Sequence, residues 1–294
     1  MIGKKNSKPA ASYEEAMQRV KAFRALDDTT IRPEAYTRVF EHGSQSDIAV
    51  VLYHGFTNHP GQYVEFAPML FQRGMNVFIP RLPEQGDKDR MTTRLANLTA
   101  EELLTSASEA LDIAQGLGRH VVILGISTSG LLCAYFAQYR GDVARAIIVA
   151  PLFGLLRFSH TATSVIGAVA RRLPNRMLWW DPRHKMDILP STGYPRFPTR
   201  GLAQTLLIAD DVYAASRKCS PAAESAVLVT NRRDPAVNNA VADRVVERWN
   251  ARRPGFAEIY CFDDLPVNHD IIDPQNAAPR TDLVYPKLLE LTAS

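Results

Sequence analysis

Cysteine is scarce: the 294 residues contain only Cys133, Cys219 and Cys261. An odd count without zinc-site spacing excludes a small disulfide framework, and it reads as reduced thiols in a cytoplasmic protein. Long apolar runs are also missing. Residues 1–11 carry lysines with no apolar stretch after them, so neither a signal peptide nor a membrane span is expected. Charge of one sign is not in excess, with 34 Lys and Arg against 31 Asp and Glu, a net charge of +3 and no block of like charges. This excludes a nucleic-acid arm, and no nucleic-acid partner is predicted. A phosphate-cradling Gly-rich loop, a dinucleotide fingerprint and a His/Glu zinc helix are all absent, so no cofactor or metal is called for. There is no internal repeat.

What is present is ordinary globular material, 46% apolar and 22% charged, enough to bury a large core. The length suits one catalytic domain with an insertion. Ser12-Tyr13-Glu14-Glu15 reads as a capping box that opens a short accessory helix to about Arg24. From Tyr36 onward, short β-branched runs, charged only at Arg145 and Glu258, fall at residues 48–53, 76–80, 120–125, 144–150, 226–230 and 258–262. Such runs suit strands buried on both faces. Helical patterns lie between them at residues 62–73, 100–116, 128–139 and 237–249, the last with Val237, Val241, Val245 and Trp249 four apart. The alternation predicts an α/β fold with a mostly parallel sheet, whose sites sit at the carboxyl ends of strands.

Residues 152–224 break the alternation. Two helix-like segments, 159–172 and 199–218, flank a connection rich in proline and aromatics, with Trp179, Trp180, Pro182, Pro190, Pro195 and Pro198. This reads as an inserted cap, net basic with ten Lys and Arg against five Asp and Glu. The expected organisation is an N-terminal helix and linker (1–35), a first core part (36–151), the cap (152–224) and a second core part (225–294).

The segment Val121-Val122-Ile123-Leu124-Gly125-Ile126-Ser127-Thr128-Ser129-Gly130-Leu131 runs from an apolar strand through a small-residue turn into a helix. It resembles the nucleophile elbow, Gly-X-Ser-X-Gly, of the α/β-hydrolase family, in which the serine sits in a strained turn with small neighbours two residues away. Gly125 fits, and Ser129 replaces the second glycine. Small-residue turns also arise for packing reasons, but three further elements fall where the family would have them. His54-Gly55-Phe56-Thr57, directly after a strand, is similar to the family's oxyanion loop. The resemblance implies that the backbone N–H groups of Phe56 and Thr128 receive the developing oxyanion, Thr128 at a helix N-terminus. Asp234, at the end of a strand and before Pro235, stands in the place of the triad acid; alone it would read as a helix cap. His269, after the final strand, is the one histidine of seven that follows Asp234, and the family order is serine, acid, histidine.

The resemblance covers the chain from about Tyr36 onward and implies a serine hydrolase with an inserted cap, similar to monoacylglycerol lipases and bacterial carboxylesterases. Ser127 would attack, His269 would act as general base and Asp234 would orient it. The loop Pro80-Arg81-Leu82-Pro83-Glu84-Gln85-Gly86-Asp87 resembles one in these capped enzymes, with Asp87 and Arg90 read as solvated loop charges. Phe153, Trp179 and Trp180, with Leu155, Leu156, Phe158 and Met177, either wall an apolar pocket for a small-molecule ester or bury the cap on the core. The expected activity is that of a carboxylesterase or small lipase. Amide, peptide or carbon–carbon bond hydrolysis and acyl transfer use the same triad, and a non-catalytic binder could keep the same fold.

Overall fold

Strands with apolar, β-branched centres need cover on both faces, and the chain supplies helices between most of its strands. The computed structural model describes residues 7–183, 185, 193–276 and 278–293. In chain order the elements are α1 (Tyr13–Arg24), β1 (Arg38–Phe40), β2 (Ser46–Tyr53), α2 (Phe66–Phe71), β3 (Asn76–Ile79), α3 (Ala100–Leu117), β4 (Gly118–Ile126), α4 (Thr128–Tyr139) and β5 (Arg145–Val149). Next come α5 (His160–Arg172), β6 (Met177–Trp179), β7 (Arg196–Pro198), α6 (Thr199–Ala215), β8 (Ser225–Asn231), α7 (Asn239–Arg252), β9 (Ala257–Phe262) and α8 (Thr281–Ala293).

Among the described residues seven strands form one sheet in the order β1-β3-β2-β4-β5-β8-β9, parallel except for β1. At its centre β2 pairs with β4 from Ser46↔Gly118 to Tyr53↔Gly125, so the loops that follow these two strands leave the sheet side by side. Gly118 is demanded there, because a Cβ would lie 2.3 Å from the backbone nitrogen of Ala49. Helix α4 has no polar face and needs none, since it is sandwiched between β4, β5 and α6.

The segment between β5 and β8 holds α5 and α6, packed on each other, and the antiparallel ribbon β6–β7. Pro190 of the proline-rich connection lies outside the described residues. The aromatic stretch before it is ordered by pairing, Trp179 opposite Arg196, and the Trp180 ring rests on Phe197 with centroids 4.2 Å apart.

Several local expectations change in three dimensions. The helical pattern at 62–73 splits into a 3₁₀ turn, Pro60–Tyr63, and the six-residue α2, because the chain must turn twice between β2 and β3. Strand β9 is an edge, with Glu258 and Ile259 exposed, and so is not buried on both faces. Ser12 does accept from the Glu15 N–H, but the Glu15 carboxylate accepts from Ala11 rather than from the cap residue itself. Asp87 and Arg90 are not solvated loop charges. Asp87 is buried and paired with Arg94 at 2.8 Å, and Arg90 donates through two nitrogens to the Gly193 carbonyl. The physical reason is that residues 28–37 and 193–196 fold over this loop, Ile31 bridging to Asp87 and the Asp87 N–H donating to the Tyr194 hydroxyl.

Candidate active site

The two central strands end in the two turns that matter most. At the end of β4 the chain reverses sharply into α4 at Ser127, whose φ of 61° and ψ of −115° are strained for a residue with a side chain. The reversal needs glycine two residues earlier: a Cβ on Gly125 would stand 2.5 Å from the Ser129 carbonyl oxygen and 3.0 Å from the Cys133 sulfur. Ser129, where a second glycine was the resembling residue, is buried and donates its hydroxyl to the His54 carbonyl. The departure from glycine therefore ties the turn after β4 to the turn after β2.

That second turn begins with His54, which is fully buried. Its Nε2 accepts from the Leu82 N–H at 3.0 Å, so the ring proton sits on Nδ1, which donates to the Gly55 carbonyl at 3.1 Å. Burial, opposed by the Gly55 bond and aided by the charge of Arg81, lowers His54 to about 3, and the ring stays neutral. The Gly55 carbonyl also accepts from Asn58 N at 3.1 Å. A trans peptide plane points its N–H opposite its C=O, so fixing this carbonyl fixes the direction of the Phe56 N–H. Among the described residues neither the Phe56 N–H nor the Thr128 N–H donates to a protein acceptor. Thr128 is the first residue of α4, where N–H groups are free and the helix dipole favours negative charge.

Asp234 follows β8. Its Oδ1 accepts from the N–H groups of Ala236 and Val237, at 2.8 and 3.0 Å, and its Oδ2 accepts from His269 Nδ1 at 2.7 Å. The carboxylate is thus both a local turn-former and the partner of His269. Its side chain is fully enclosed while that of His269 keeps 24% exposure, so the pair presents the histidine and hides the acid. With Nδ1 engaged, Nε2 is the ring atom left for chemistry. Burial disfavours the charged ring, but the hydrogen bond and charge of Asp234, with the charge of Asp270, outweigh it and raise the His269 pKa. The Ser127 hydroxyl is not hydrogen-bonded to His269 in this structure; such contacts commonly tighten only around a substrate.

The aromatic candidates divide. Phe153 is fully buried in the core. Trp179 is half-buried and Trp180 is 45% exposed. The Trp180 indole N–H donates to Thr57 Oγ1 at 3.0 Å, and Tyr194 N–H donates to the Thr57 carbonyl at 2.7 Å, so the segment after β5 docks on the tip of the His54–Thr57 turn.

Sequence reasoning missed the polar side chains that hold these turns in register. Asn231, at the end of β8, donates to the carbonyls of Pro266 and Asn268 at 2.9 and 2.8 Å and so clamps the turn bearing His269. Gln62 and Asn58 both donate to Asp270. A lone amide carries no pattern in a sequence; adjacency to the motif residues was the available hint. No cluster of three His, Cys, Asp or Glu among the described residues is arranged to hold a metal ion.

Residues 44–248 match the family model described as serine aminopeptidase, S33. The chain belongs to this hydrolase family. No curated protein matches the sequence. Among solved structures, the hydrolase is similar to one of the metagenome-derived lipolytic enzymes LipS and LipT, at 17% identity over 90% of this chain and 99% of that one, with a TM-score of 0.70. It is also similar to a monoacylglycerol lipase from Paleococcus ferrophilus, at 15% identity over 88% and 98% of the two chains, TM-score 0.65. A monoglyceride lipase from Saccharomyces cerevisiae aligns at 11% identity over 87% and 91%, TM-score 0.65. At these identities the likeness concerns the fold, and the hydrolase has the α/β-hydrolase fold expected from its elbow. No helix among the described residues is long and apolar enough to cross a membrane.

Proposed function

We propose that the protein is a carboxylic ester hydrolase acting through an acyl-enzyme on Ser127. The observation that carries this reading is the enclosed Asp234 bonded at 2.7 Å to the partly exposed His269, with the strained Ser127 turn as the place of attack. His269 Nε2 takes the Ser127 proton as Oγ attacks the ester carbonyl. The Phe56 and Thr128 N–H groups receive the oxyanion, and the imidazolium returns the proton to the departing alcohol. Water, deprotonated by the same ring, then releases the acid. Trp180, and with it Trp179, forms one wall of an apolar acyl or alcohol site, while Phe153 supports that wall from the core. Residues 152–224 act as the cap over the site. The lipolytic neighbours support esters of moderate apolarity as substrates.

The family description favours a second reading, hydrolysis of an N-terminal peptide bond by the same groups. Parallel assays with p-nitrophenyl esters and aminoacyl p-nitroanilides separate the two, and turnover of the anilides alone overturns the ester assignment. A fluorophosphonate probe tests the nucleophile. Labelling is expected on Ser127, lost in Ser127→Ala and largely kept in Ser129→Gly; a probe-bearing peptide modified at Ser129, or inert wild-type protein, overturns the mechanism.

A further inference from the structure

The side chain of Gln62 is 1% exposed and lies between two turns that the proposed chemistry needs at once. Its Oε1 accepts from the Gly55 N–H at 2.8 Å, one residue before the Phe56 N–H that would meet the oxyanion. Its Nε2 donates to Asp270 Oδ2 at 2.6 Å, one residue after His269. The amide is held in place by the 3₁₀ turn Pro60–Tyr63, which His59 caps by accepting from the Gly61 N–H. Asp270 is held from its other side, Oδ1 accepting from the N–H groups of Ile272 and Asp273 and Oδ2 also from Asn58.

We propose that Gln62 is a positioning residue, whose amide sets the distance between the oxyanion-donor turn and the turn carrying His269, with Asp270 as its anchor. The proposal rests on the assignment of Ser127, His269 and the Phe56 N–H given above. Gln62 touches neither substrate nor reacting atoms. It has one acceptor and one donor end, each matched to a group of opposite kind, so no charged or apolar residue of similar size reproduces both bonds at neutral pH. Without it the Gly55 N–H is left unpaired and the donor turn loses its tie to the base. A displacement of about 1 Å at either group costs on the order of 100-fold in rate.

The test compares wild type, Gln62→Ala and Gln62→Glu, using p-nitrophenyl butyrate hydrolysis and fluorophosphonate labelling. In Gln62→Ala kcat is expected to fall about 10- to 100-fold with KM within about threefold, because transition-state groups are displaced while the acyl site is untouched. Gln62→Glu adds a readout that a purely structural role would not move. A protonated glutamic acid offers a carbonyl to Gly55 and an O–H to Asp270, whereas the ionised form repels Asp270. The ionisable groups facing the position are Asp270, with Asp273, His269 and Asp234 beyond it, and His54, Tyr63 and Tyr285, which burial keeps neutral. Relative to wild type at each pH, the activity of Gln62→Glu is therefore expected to be largely restored near about pH 5 and lost toward about pH 8. A wild-type protein that is neither labelled nor active overturns the underlying mechanism. A labelled, active wild type with folded Gln62→Ala within twofold of its kcat overturns the positioning role alone. If Gln62→Ala does not fold, Gln62→Glu decides, and a flat ratio across pH overturns the proposal.

Discussion

At the scale of single residues, the environment of His269, the general base of the proposed mechanism, would set the pH at which the protein works. A general base must be neutral, and here the hydrogen bond and charge of Asp234, with the charge of Asp270, hold the proton on the ring against the burial that would expel it. The acid limb of kcat/KM is therefore expected to have its midpoint above the ordinary histidine value of about 6.5. Asp270 is pushed up to about 6 by burial and the Asp273 charge, with backbone N–H bonds and His269 acting the other way, so it is largely ionised at neutral pH. Asp270→Asn removes a negative charge beside the imidazolium, and the midpoint of the limb should move to lower pH. A profile measured with an acetate ester checks this; an unmoved or raised midpoint would show that Asp234 alone fixes the ring.

At the scale of elements, the β6–β7 ribbon and the turn after β2 are joined through one side chain. Trp180 stacks on Phe197, reaches Thr57 with its indole N–H, and still leaves 45% of its surface open. A residue that only packed this segment on the core would be covered. Trp180→Ala is accordingly expected to change the preference between butyrate and octanoate esters by several-fold and leave acetate hydrolysis within about twofold, since only longer chains would reach the proposed wall. Melting curves run alongside separate this from lost packing. Equal losses on all three esters with a lower Tm would make Trp180 a structural contact.

At the scale of the whole molecule, the N-terminal helix is part of the core. Helix α1 buries Ala16, Val20 and Phe23 against α3 and the sheet, with the Phe23 and Phe78 rings edge to face at 5.7 Å. Its approach is so close that a Cβ on Gly116 would meet the Ser12 carbonyl oxygen at 2.5 Å. The buried pair Arg81–Asp27, at 2.6 Å, fastens the following segment to the loop after β3. Phe23→Ala is expected to cost about 3 to 5 kcal/mol in denaturant unfolding, as for other buried aromatics, while kcat changes little. A loss under about 1 kcal/mol would return α1 to an accessory role.

The sequence by itself determined the alternation of strand and helix, the parallel sheet and the strained turn at Ser127, because these follow from local pattern: β-branched runs, a 3.6-residue stripe, and glycine where no Cβ fits. It also singled out Asp234 and His269 by the family's order of acid and histidine, and their hydrogen bond depends on the fold that brings residues 35 apart together. Tertiary structure alone decided the rest. Strand β1 is too short to show a period, α8 carries Pro286 inside it, and Asp87 looks solvated until residues 28–37 cover it. The bonds of Gln62, Asn231 and Ser129 span 208, 37 and 75 positions, and no window along the chain contains both ends of any of them. Burial is what gives such bonds their weight: a polar side chain enclosed in the core must find a partner, and which partner is available is set by the fold rather than by its neighbours in sequence.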